Sequence, residues 1–149
     1  YRLSRRKRAS IANHAGADLF ISIHTGGFFR SGPEAWGLYH YPVKDENPDF
    51  EKAAPDKAPW KKVQEKAAPA SKRLAETLSH YLQACPGIAR LQTGEAPIFL
   101  LEGLAMPALV LETGYLTNPL CEEHLNDPDF LAETADCTRQ GIDAFFRQQ

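Results

Sequence analysis

Two short apolar runs constrain this chain more than any other feature. One reads Asp18-Leu-Phe-Ile-Ser-Ile-His24, the other Pro107-Ala-Leu-Val-Leu-Glu112-Thr-Gly. Each has the length of a strand, and each finishes on a residue able to bind metal or move protons. Runs apolar on both faces belong to strands covered on both sides, as in α/β sheets. In open α/β sheets ligands bind at the carboxyl ends of the strands, so two such ends can meet in one site. The reading predicts an α/β fold with a mostly parallel central sheet, helices on both faces, and His24 beside Glu112. A histidine and a glutamate placed this way suggest metal-assisted hydrolysis. Catalytic zinc normally takes three protein ligands, which one histidine does not supply.

A length of 149 residues fits a single domain. Hydrophobic content of 43% and charged content of 24% are those of an ordinary globular protein. The formal net charge of -2 creates no overall field toward nucleic acid or an anionic membrane. No apolar stretch approaches the roughly 20 residues of a spanning helix. The basic start runs into a mixed helix and not an apolar core, so no signal peptide is read. Cys85, Cys121 and Cys137 are odd in number, far apart and without a CxxC pair. That spacing predicts neither a thiol zinc site nor a disulfide framework. Cys121 and Cys137 are the pair that neighbouring helices would bring together.

Local signals divide the chain further. Ser4 can cap a helix that runs to about Gly16, with Ala9, Ile11, Ala12 and Ala15 as a narrow buried stripe. Arg5, Arg6, Lys7 and Arg8 on that helix read as a solvated face, since no aromatic residues interleave with them as nucleic-acid binding would favour. Trp36 to Tyr41 reads as a second strand, Ile98 to Leu101 as a third and Ala108 to Glu112 as the fourth. Residues 43–69 carry five prolines counting Pro42, many charges and few aliphatics. A loop of that length is usually functional or disordered, with room for a short helix at Trp60 to Lys66. Helices are predicted over Ala70 to Ala84, Pro119 to Asn126 and Asp129 to Arg147.

Glu112 follows Leu109-Val110-Leu111, so its carboxylate emerges from a buried strand. An ionised carboxylate there needs a partner, a hydrogen bond or a shifted pKa, and general-base work uses such a group. The alternative is a glutamate paired with an arginine. His24 has its own bland alternative, a hydrogen-bonded histidine at a sheet edge. His40 and Glu34 are weaker local candidates for metal ligands, and His14, His80 and His124 read as helix-surface residues. No HExxH, GxSxG or phosphate-binding glycine loop occurs. A carboxypeptidase-like site would need a well-placed arginine, and Arg90 is the only one between 74 and 138.

Residues 12–24, Ala-Asn-His-Ala-Gly-Ala-Asp-Leu-Phe-Ile-Ser-Ile-His, and 106–118, Met-Pro-Ala-Leu-Val-Leu-Glu-Thr-Gly-Tyr-Leu-Thr-Asn, resemble two motifs of the zinc-dependent N-acetylmuramoyl-L-alanine amidases. The resemblance extends to Gly37–Tyr41, the helix of Leu74 to Leu82 and the terminal helix. It implies hydrolysis of the amide between the lactyl group of muramic acid and L-alanine in peptidoglycan, in the bacterial cell envelope. It implies that His24 is a zinc ligand and that Glu112 is the general base for the zinc-bound water. Tyr115 and Asn118 are candidate rim residues for the stem peptide. The family's Gly-His-Gly run and following Glu, which supply its other zinc ligands, are not in this sequence. Thr25 stands where the family usually has a small Ala before an Asn. The chain therefore reads as an amidase-like catalytic domain over 1–149, N-terminally incomplete, and the alternative is a non-catalytic peptidoglycan-binding or regulatory relative without the metal site. A position equivalent to 43–69 is where some exported relatives carry a helix moved by an activator, so a lid bringing Trp60 or Glu65 toward His24 is a further expectation. An unfinished sheet should also show an open strand edge.

Overall fold

The computed structural model describes residues 3–27, 32, 34–42 and 58–148, which hold four strands and four helices. Their order is α1 (Arg5–His14), β1 (Phe20–Gly26), β2 (Trp36–His40), α2 (Ala58–Gln83), β3 (Leu91–Glu95), β4 (Ala108–Tyr115), α3 (Pro119–Asn126) and α4 (Pro128–Arg147). The strands form one sheet in the order β1-β4-β2-β3. β1 runs parallel to β4 and β2 parallel to β3, while β2 and β4 are antiparallel. The predicted α/β architecture is therefore present, as two parallel pairs joined back to back.

Alternation along β4 assigns its two faces. Leu109 and Leu111 join Trp36 and Leu38 of β2 and pack against Leu74, Leu78 and Leu82 of α2 and Phe130 and Phe145 of α4. Ala108 and Val110 point the other way, into a smaller cluster with Ala9 of α1, Leu101, Leu104 and Met106. Fully burying a leucine contributes about 1.5–3 kcal/mol, so the first cluster dominates stability. The helices start where the sequence supplies caps. Ser4 Oγ accepts from Lys7 N at 3.3 Å, and Asp127 Oδ1 accepts from Asp129 N at 3.0 Å ahead of Pro128, a residue suited to the first helical turn.

Four local expectations are corrected. β1 is not covered on both sides: it is the end strand of the sheet, and Ile23 is 67% exposed. The third strand is Leu91–Glu95 and not Ile98–Leu101, whose apolar side chains lie in tight turns with Leu101 buried toward α1. The helix expected from Ala70 and the short helix at Trp60 to Lys66 are one helix, which begins at Ala58 inside the stretch read mainly as a loop and runs through Pro69. A proline in a helix interior removes a donor. Pro69 sits on the exposed side, while Ala67, Ala68, Ser71, Leu74, Ala75, Leu78 and Leu82 keep one buried face continuous. Residues 43–57 and the side chain of Trp60, on which the lid expectation rests, lie outside the described residues; Glu65 is exposed. Finally, the disulfide joins Cys85 to Cys137 across a Cα–Cα distance of 6.2 Å, and Cys121 is a buried free thiol. The reason is packing: α2 ends against the middle of α4, whereas Cys121 turns toward β4.

Candidate functional site

Parallel pairing sets the site. β1 and β4 run in register from Phe20↔Ala108 to His24↔Glu112. Partners in a parallel ladder point to the same face, and neighbouring strands lie about 4.8 Å apart. His24 and Glu112 thus stand side by side at the carboxyl ends of adjacent strands, on the α1 face. His24 is exposed and Glu112 half-buried. Ser22, two residues before His24 on the same face, shares a hydrogen bond of 2.9 Å between its Oγ and His24 Nε2. After His24 the register slips by a bulge, so that Gly26 meets Tyr115. Bulges beside active sites commonly re-aim side chains. On the opposite face Thr113 Oγ1 donates to the His24 carbonyl at 3.1 Å and lies 3.2 Å from Thr25 Oγ1, which locks the two strand ends together.

Two tyrosines frame the glutamate. The Tyr115 ring lies over Gly26, and the Tyr39 ring over Gly37, in both cases where a Cβ would stand. Gly37 is the cross-strand partner of Glu112. Burial pushes the Tyr115 phenol above its usual value, and the neighbouring Tyr39 and Glu112 push it further in the same direction. Tyr39 did not emerge from the sequence as a site residue. The signal for it was the Gly37-x-Tyr39 spacing, which puts an aromatic ring and the bare backbone beneath it on one strand face. Asn118 is committed to structure around the site. Its Oδ1 accepts from Leu120 N and Cys121 N at 3.0 and 3.2 Å, capping α3, and its Nδ2 donates to the Gly32 carbonyl at 2.9 Å.

In front of His24 opens a groove of about 1020 Å³. Arg6 and Arg8 of α1 line one side, and Pro97, Ile98, Phe99, Leu100 and Glu102 the other. Part of the basic run read as a solvated face therefore borders the site. His40 does not join it. It is buried, its Nδ1 lies 2.9 Å from the Tyr41 carbonyl, and its register partner Leu109 precedes Glu112 by three residues. That offset is about 10 Å along the strand. Among the described residues no three His, Cys, Asp or Glu side chains gather into a group able to hold a metal ion. The residues here do not complete a zinc site: tetrahedral catalytic zinc needs three protein ligands beside its open position.

Sequence comparison decides what this geometry belongs to. Residues 1–144 match Amidase_3, described as N-acetylmuramoyl-L-alanine amidase. The chain belongs to the N-acetylmuramoyl-L-alanine amidase family. It is 25% identical over 162 aligned positions to the amidase AmiA of Escherichia coli (strain K12), which covers 93% of this chain and 55% of that protein. The AmiA of Salmonella typhimurium is 26% identical with the same coverage. The chain thus spans about half the length of the curated relatives it matches. The catalytic domain of CwlV, an amidase from Bacillus (Paenibacillus) polymyxa var. colistinus, superposes with a TM-score of 0.71 at 22% identity, over 100% of this chain and 69% of that one. The CwlD amidase of Clostridioides difficile, solved in complex with the GerS lipoprotein, superposes with a TM-score of 0.68 at 19% identity, over 99% and 68%. These superpositions fix the fold as that of amidase catalytic domains. No helix among the described residues is long and apolar enough to cross a membrane.

Proposed function

We propose that this amidase-family chain hydrolyses the amide between the muramic acid lactyl group and L-alanine in peptidoglycan. The observation that carries the reading is the register pair His24↔Glu112 at the ends of two adjacent parallel strands. Glu112 acts as the general base, taking a proton from the attacking water and returning it to the departing amine. Its half-buried position beside Tyr39 and Tyr115 shelters the carboxylate from bulk water, next to His24, which lines the groove. His24, oriented by Ser22, would offer one imidazole to zinc. Zinc would supply Lewis acidity toward the scissile carbonyl only in a site completed by ligands other than His24, with Glu112 kept for proton transfer. Tyr115 borders the stem peptide, and Asn118 acts indirectly by fixing the Gly32 end of the loop beside β2. Arg6 and Arg8 suit the carboxylates of an acidic stem.

The proposed setting is the bacterial cell envelope. The Cys85–Cys137 disulfide supports it, because such bonds persist in oxidising compartments. An activator protein acting through the 43–69 stretch is proposed as well, on the precedent of the CwlD–GerS complex. A second reading is favoured by the lack, among the described residues, of any three-ligand group around His24: a relative that binds peptidoglycan without cutting it.

Two measurements separate the readings. Zinc content after dialysis is compared with release of new N-terminal L-alanine from purified peptidoglycan, for the longest natural form of the protein and its Glu112→Gln variant. One zinc per chain with alanine release that disappears in Glu112→Gln supports the hydrolase. Peptidoglycan binding without zinc or alanine release supports the non-catalytic relative.

A further inference from the structure

The segment between β3 and β4 forms one wall of the groove although it has no helix or strand of its own. Two primary amides hold it. Gln64 of α2, 4% exposed, donates from Nε2 to the Leu101 carbonyl and accepts at Oε1 from Gly103 N at 3.2 Å. Asn13 of α1 donates from Nδ2 to the Gly103 carbonyl at 2.7 Å and accepts at Oδ1 from Ala105 N at 3.0 Å. Gly103 therefore has its N–H claimed by one helix and its carbonyl by another. Each amide gives this segment one of its N–H donors and its carbonyl acceptor, matching a backbone that has no ladder to satisfy it. An apolar side chain could fill the same space, but it could not fix the register of this segment against the helices. The consequence reaches the site, because Ile98 and Phe99 on this wall line the same groove as His24 and Arg8.

We propose that Gln64 and Asn13 are positioning residues. They fix the wall at 97–102 and through it the pose of an acidic peptide in front of His24. Neither touches the ligand. The ligand's chemistry rests on the amidase reading, whereas the clamp itself rests on the hydrogen bonds.

The test uses the full protein, Gln64→Met (near-isosteric, unable to hydrogen-bond) and Asn13→Ala. Amide exchange is followed at Gly103, Ala105 and, as a folding control, Leu109. Binding of a muramoyl tripeptide is followed by nuclear magnetic resonance in a Glu112→Gln background, so that nothing turns over. KM and kcat are measured with Glu112 intact. Exchange at Gly103 should quicken in Gln64→Met and at Ala105 in Asn13→Ala, with Leu109 unchanged. Affinity should fall, and KM rise, by up to about 10-fold, the scale of one hydrogen bond, with kcat held. Faster Gly103 exchange with unchanged affinity and KM would make the amides merely structural and overturn the proposal alone. Loss of Leu109 protection together with lost binding would likewise assign them to the fold. A wild-type protein that neither binds nor cleaves the tripeptide would overturn the amidase reading and the proposed pose together, while leaving the exchange pattern intact.

Discussion

The two faces of the sheet are built to opposite rules. On the α2–α4 face, Leu38, Leu74, Leu78, Leu82 and Leu109 are wholly buried, and a disulfide ties the two helices together. On the α1 face the apolar cluster is smaller, Ile11 is 47% exposed, and His24 stands at the end strand of the sheet. One face fixes the shape; the other holds polar groups at strand ends without enclosing them. The difference teaches that stability and chemistry are separable in this chain, and substitutions can test the separation.

The largest effect belongs to the open face and should not register as stability. Glu112→Gln should lower kcat by about 10²–10⁴-fold, the usual contribution of a positioned base, while thermal unfolding stays within a few degrees. Comparable loss of melting temperature would break the comparison, because Glu112 would then hold the sheet. Leu78→Ala on the closed face should behave oppositely. Removing a wholly buried leucine costs about 2–5 kcal/mol, seen as a lowered urea midpoint, with kcat unchanged in the fraction that remains folded. Ile23→Ala, at 67% exposure, should move the midpoint by no more than about 0.5 kcal/mol.

Reduction of the disulfide falls between these. Cys85–Cys137 closes a loop of 52 residues, and such cross-links typically contribute about 2–4 kcal/mol, chiefly by restricting the unfolded chain. Cys85→Ala with Cys137→Ala should reproduce the destabilisation caused by reductant and abolish any further response to it. Amide exchange should then rise in α2 and α4 but not at His24. A change confined to β1 would contradict the assignment of stability to the closed face.

What could be read beforehand follows the same division. Leu109-Val110-Leu111 is apolar because both sides of β4 are covered, so its sequence announces its place. The Phe20–Ile23 run looked equally covered, yet β1 pairs only with β4 among the described residues, and periodicity does not reveal where a strand sits in a sheet. Leu91–Glu95 escaped notice because a strand at the other end of the sheet tolerates Gln92, Thr93 and Gly94. Ile98–Leu101 misled because apolar residues can be buried by turns as well as ladders. Pro69 looked like a boundary, but its exposed position lets the helix continue. The pairing of His24 with Glu112 was legible from strand ends alone. Gln64 and Asn13 were not, since each depends on which element crosses above it, while Tyr39 was written only in its spacing from Gly37.

The smallest effect concerns the tyrosine beside the base. Burial, then Tyr39, then Glu112 raise the Tyr115 phenol above the ordinary value of 10.0. All three disfavour the phenolate, so as pH rises the unfolded chain loses this proton before the folded one. The stabilisation is fully present below the unfolded pKa and disappears as pH climbs through the folded one. Absorbance titration at 295 nm should assign to Tyr115 a midpoint above that of free tyrosine, with that component absent from Tyr115→Phe. Glu112→Gln should bring the midpoint down only part of the way, because burial is the larger cause and stays in place. A full return to the ordinary value would mean that charge, and not enclosure by the strand ends, sets the environment of Glu112. The open face would then be more exposed to solvent than its geometry indicates, and a sheltered base at position 112 would lose its physical support.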